Sequence, residues 1–113
     1  MMQKFNYVRS PELLKSCRRL PCQTCGRDDG TVVAAHSNQA KHGKGRSIKA
    51  SDIFVASMCF SCHAEIDQGK KLSREERNLV WAMAHILTVR KLVRLDLWPE
   101  LVELPLQLSL EFQ

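Results

Sequence analysis

Three kinds of apolar spacing follow one another along the chain. Leu13 and Leu14 sit behind Ser10-Pro11-Glu12, which offers a hydroxyl N-cap, a proline at the first helical position and an acid in the first turn, so a short helix is expected there. Arg18 and Arg19 fall at its C-terminal end, where cations suit the helix dipole, and Pro21 closes it. Thr31-Val32-Val33-Ala34-Ala35 and Ile53-Phe54-Val55-Ala56 are brief apolar or β-branched runs and read as two strands. Cys62 to Gln68 suggests a short helix ending at Gly69 as a left-handed C′ residue. Ser73-Arg74-Glu75-Glu76 is a capping box opening a long helix to about Leu97. Within it Leu79, Val80, Met83, Ile86, Leu87, Leu92, Val93 and Leu97 approach helical spacing and are expected to bury one broad face. After Pro99 the period drops to two, through Val102, Leu104, Leu106, Leu108, Leu110 and Phe112. That pattern predicts an extended arm packed on the body or on a partner, with Pro105 marking an edge position.

The order of helix, strand, polar loop, strand, helix and long helix is that of an α+β protein. Its 113 residues fit one domain over 1–98 with an arm over 99–113, and there are no internal repeats. Apolar residues make up 44%, enough for a folded core but a modest one, so a metal staple would add useful stability. No apolar run approaches the length of a membrane span, and Met1 to Arg9 lacks the apolar stretch of a secretion signal. A cytoplasmic location is therefore expected, where cysteines stay reduced.

Cysteine placement changes this picture most. Cys22-Gln-Thr-Cys25 and Cys59-Phe-Ser-Cys62 are two Cys-x-x-Cys knuckles, and two such pairs complete a tetrahedral sulfur shell around zinc. Cys17 falls in the first helix and is read as a helix residue. A four-cysteine shell leaves no open position, so such a zinc is structural and any chemistry must come from elsewhere. Thirty-three residues lie between the knuckles, and they carry His36 at the end of the first strand and a polar, basic loop over 37–51. His63 follows the second knuckle directly, and Asp67 lies four residues on, so both project from one helix face. His85, Trp81 and Trp98 read as structural.

The formal charge of +5 is uneven: residues 1–50 hold ten Lys/Arg against three Asp/Glu, and residues 51–113 hold seven against nine. Lys41, His42, Lys44, Arg46 and Lys49 concentrate the excess beside His36, with Gly43 and Gly45 allowing close backbone approach to a phosphate. Such a patch would meet a nucleic-acid backbone with little sequence preference.

Cys-x-x-Cys, a strand-end His36 and Cys59-x-x-Cys62-His63-x-x-x-Asp67 together resemble the HNH (ββα-metal, His-Me finger) endonucleases. The segment from about Pro11 to Trp98 is similar to the small prophage-encoded nucleases of the YbcO type. The resemblance implies a zinc-stapled, treble-clef-like ββα-metal core and metal-dependent hydrolysis of DNA. It implies His36 as general base, a role that suits histidine as the residue type that titrates near neutrality. It also implies a divalent ion, Mg²⁺, Mn²⁺, Ni²⁺ or Zn²⁺, held by His63 and Asp67. Two positions depart from the family. Ala35 stands where many members have a further metal ligand, and the middle asparagine has no clean match, Asp52 lying closest by position with Asn38 as a nearby alternative. A non-catalytic zinc module that binds nucleic acid in phage recombination or replication is the second expectation.

Overall fold

The computed structural model describes residues 6–105 and residue 108. Helix α1 (Pro11–Cys17) starts where its cap places it, with Ser10 Oγ accepting the Leu13 N–H at 3.2 Å. Strands β1 (Val33–His36) and β2 (Val55–Met58) form one antiparallel pair, His36 opposite Val55 and Val33 opposite Met58. Helix α2 (Phe60–Gln68) and helix α3 (Arg74–Arg94) follow. A single 3₁₀ turn, Ala40–His42, interrupts the loop between the strands.

All four residues of β2 are buried, because apolar clusters lie on both sides of it. Ala56 and Met58 join Cys22, Ala35, Cys59, Ile66 and Trp81 in one cluster; Val55 joins Leu13, Cys17, Leu20 and Leu92 in the other. Such a strand shows a continuous run instead of alternation. It starts two residues later than the run from Ile53 suggests. Ser51 and Asp52 are held by the N-terminal segment, with Val8 N–H on Ser51 Oγ at 2.9 Å and Asp52 N–H on the Val8 carbonyl at 2.9 Å, so Ile53 and Phe54 lie in a turn.

Helix α3 presents a different face to the core from the one its aliphatic spacing suggests. Trp81, Ala84, His85, Thr88, Val89 and Leu92 are buried, while Leu79, Met83 and Leu87 are 62%, 59% and 44% exposed. The buried polar residues serve the sheet: Thr88 Oγ1 accepts the Ser57 N–H at 2.9 Å, and His85 Nδ1 lies 2.8 Å from the Val55 carbonyl. The capping box at Ser73 and Glu76 is formed in both directions. The helix stops at Arg94, short of Leu97, in a Schellman motif: Asp96 takes the left-handed position (φ 58°), and Leu97 N–H reaches the Leu92 carbonyl at 2.8 Å. Gly69 is not a left-handed terminator (φ −68°); a side chain there would collide with the Glu65 carbonyl.

Half of the period-two positions, Leu106, Leu110 and Phe112, fall outside the described residues. The described part of this segment contains no strand. Pro99 to Val102 form a turn, and the buried Leu108 sends its N–H to the Pro105 carbonyl at 2.9 Å.

Candidate metal centre and adjoining cleft

Two local structures bring the knuckles together. After Cys22 the chain turns tightly, its N–H on the Arg27 carbonyl and its own carbonyl taken by the Gly26 N–H, with Gly26 at φ 81°. Cys59 is the N-cap of α2, so Cys62 falls in that helix's first turn. Helix α2 therefore begins two residues before the Cys62 start suggested by the sequence. The four Sγ atoms of Cys22, Cys25, Cys59 and Cys62 lie within 4.8 Å of one another, and Cys25 and Cys59 are 3.7 Å apart. A tetrahedral shell with metal–sulfur bonds of about 2.3 Å has edges of about 3.8 Å, so the cluster could hold a metal ion such as zinc. Burial opposes ionisation of Cys22, but backbone N–H groups of Cys25, Cys59 and Thr24 and the Cys25 thiol outweigh it and bring its thiol down to about 6. Cys62, facing the same sulfurs, is pushed up by burial and by those neighbours. Cys17 stands apart at the end of α1, fully buried, its thiol raised to about 12 by burial.

Beside the cluster, β1 and α2 converge on a second group of side chains. His36 Nε2 lies 2.8 Å from Asp52 Oδ1. Asp52 is 2% exposed, and its Oδ2 accepts the Ser10 N–H at 2.7 Å while Arg9 Nη1 approaches Oδ1 at 3.3 Å. Burial works against its charge, but the His36 and Ser10 hydrogen bonds and the Arg9 guanidinium hold the carboxyl below its ordinary range. An ionised carboxylate only accepts, so Nε2 carries the proton of the His36 bond, and whenever the ring is neutral Nδ1 is its accepting nitrogen. Across from it, His63 Nε2 and Asp67 Oδ2 are 3.0 Å apart on α2, and Asn38 Nδ2 donates to Asp67 Oδ1 at 2.9 Å.

His36, Asn38, His63, Asp67, Lys44 and Lys49 line one cavity of about 180 Å³. Asp52 does not line it and acts on it only through His36. Ala35 is fully buried in the core, and Trp81 Nε1 donates to its carbonyl at 2.9 Å, pinning the strand end just before His36. Among the described residues, the four cysteines alone gather three or more candidate ligands at one point; His63 and Asp67 form a pair.

The basic loop divides. Lys44 and Lys49 face the cavity, Lys41 lines a neighbouring larger cleft, and Arg46 is exposed on the Gly45–Ile48 turn. His42 does not belong to the patch. It is buried, stacked on Phe54 at 4.3 Å and bonded through Nδ1 to Ser37 Oγ at 2.6 Å. Burial, with Lys41 and His85 nearby, lowers its ring to about 4.

The sequence gives little sign of four further contributors. Arg9 grips the loop through the Lys49 and Ala50 carbonyls, and Ser10 offers a backbone N–H, a group every non-proline residue carries. Arg74 and Arg77 lie in the first turns of α3 and line the larger cleft, although only their helix context was legible. No protein-family model, no curated protein and no solved structure matches this chain.

Proposed function

We propose that the chain is a metal-dependent endonuclease that hydrolyses phosphodiester bonds in DNA, on a zinc-stapled, treble-clef-like ββα-metal core. The observation that carries this reading is the lining of the smaller cavity, where His36 from β1, His63 and Asp67 from α2, and Lys44 and Lys49 from the loop share one space. In this reading the four cysteines hold a structural zinc that joins the first knuckle to the start of α2.

The ionised Asp52 fixes His36 with Nε2 as donor, so that Nδ1 takes the proton from an attacking water. His63 and Asp67, whose donor atoms are 3.0 Å apart on one face of α2, would hold the divalent ion. A bound divalent ion supplies stabilisation of the charge that develops on the phosphate and on the leaving 3′ oxygen. Asn38 keeps the Asp67 carboxylate turned toward that position. Lys44 and Lys49 offset phosphate charge, and Arg46 adds long-range attraction.

One observation favours a second reading, a zinc module that binds nucleic acid without cutting it. His63 and Asp67 are only two ligands, and the position before His36 is the buried Ala35. Incubating plasmid DNA with the protein and Mg²⁺, Mn²⁺, Ni²⁺ or Zn²⁺ separates the two. Nicking that is lost in His36→Ala supports the endonuclease. Salt-sensitive binding without nicking under any of these ions supports the module.

A further inference from the structure

The cavity at His36 shares Asn38 and Asp67 as lining residues with a second, larger cleft of about 580 Å³, within the range of about 300–1,000 Å³ that takes small ligands. One wall is the 3₁₀ turn with Lys41; the facing wall is the first turns of α3 with Arg74, Arg77 and Asn78. Arg74 and Arg77 are three residues apart and so share a helix face. Against these three cations stands one acid, Asp67, and both of its oxygens are engaged by His63 and Asn38. Among the described residues none of Lys41, Arg74 and Arg77 forms an ion pair. Arg77 Nε is closed off from solvent and makes no hydrogen bond within the protein. Amides of Asn38, Gln39 and Asn78 add neutral donors and acceptors to the same walls.

Cations left unpaired around a concave, amide-lined space match the chemistry of a phosphodiester with its sugar, and guanidinium groups match phosphate oxygens in particular. We propose that this cleft is a phosphate-backbone subsite. It receives the nucleotide adjoining the one at His36, so the ligand is a polynucleotide strand running from one cavity into the other. This rests on the nucleic-acid reading above and extends it to residues outside the basic loop. Arg74 and Arg77 set how the strand lies and take no part in proton transfer.

Equilibrium binding of a 5′-fluorescein-labelled oligodeoxynucleotide, followed by anisotropy across a sodium chloride series with no added divalent ion, tests it. Removing two phosphate contacts lowers the slope of log affinity against log salt by about 1.5. Arg74→Gln/Arg77→Gln is expected to show that drop with about a tenfold loss of affinity at low salt, while Arg74→Lys/Arg77→Lys keeps the wild-type slope. Circular dichroism of each variant confirms folding. An unchanged slope in the glutamine variant overturns the subsite even if plasmid nicking persists. A lowered slope with no nicking upholds the subsite and rejects the endonuclease. Absence of oligonucleotide binding by the wild type rejects both.

Discussion

Asp52 is joined to His36 by a 2.8 Å hydrogen bond although sixteen residues separate them, and the carboxylate is almost fully buried behind the ring. Its other oxygen is taken by the Ser10 backbone, so the orientation of His36 depends on the segment that leads into α1.

Asp52→Ala is therefore expected to lose stability as well as activity. It leaves the Ser10 N–H, the Arg9 guanidinium and His36 Nε2 without their acceptor, at a cost of about 2–4 kcal/mol. Asp52→Asn keeps the shape and reduces any cleavage by about 10²-fold or more, since Nε2 no longer has a charged acceptor. Urea denaturation and plasmid nicking read the two effects; a loss under 0.5 kcal/mol in Asp52→Ala contradicts the burial argument.

Metal content gives the next expectation. One zinc per chain should be recovered from the purified protein, and Cys25→Ser or Cys62→Ser should abolish it. Chelation should lower the melting temperature by roughly 10 °C or more, because ion binding is coupled to folding. Cys17→Ala should cost stability from its buried site and leave the metal content at one per chain. Metal content that survives loss of any of the four knuckle cysteines would rule the cluster out as the site.

The buried His42 predicts an acid sensitivity with a definite direction. Its folded value of about 4 lies below the ordinary histidine value of about 6.5, so the unfolded chain binds the proton more readily. Stability is then full above about 6.5 and falls as pH drops toward about 4, by up to about 2 kcal/mol at pH 5. Asp52 acts in the same sense but in a lower window, below the ordinary carboxylate value. His42→Phe, which keeps the stacking on Phe54, should show a shallower pH dependence than wild type between pH 7 and 5, with metal-dependent losses common to both. Parallel curves would refute the assignment.

The two faces of α3 differ in their tolerance. Leu79→Gln, Met83→Gln and Leu87→Gln should each change stability by no more than about 0.5 kcal/mol, whereas Leu92→Ala should cost about 3 kcal/mol by opening the second cluster. Thermal melts distinguish them directly.

What could be read from the residues was local. The cap at Ser10-Pro11, the capping box at Ser73 and the two knuckles are signals within a few positions, and each forms as its spacing suggests. The core face of α3 departs from its aliphatic spacing because the polar Thr88 is buried where β2 supplies an N–H for its hydroxyl, one turn from His85 on the Val55 carbonyl. The same applies to His42, whose burial depends on Phe54 and Trp81 meeting it from distant parts of the chain. The end of α3 was hidden by an aspartate in a place usually given to glycine. At the candidate site, His36, His63 and Asp67 do line one cavity, but the cleft formed by Lys41, Arg74 and Arg77 joins two segments more than thirty residues apart and leaves no pattern in either.

Trp81, whose indole holds the carbonyl before His36, stands four residues after Arg77 on α3, a rise of about 6 Å along one rigid rod. The helix thus works as a ruler. It fixes the interval between the strand end and the cleft, so a ligand spanning both cavities must match a length that the protein cannot readily adjust.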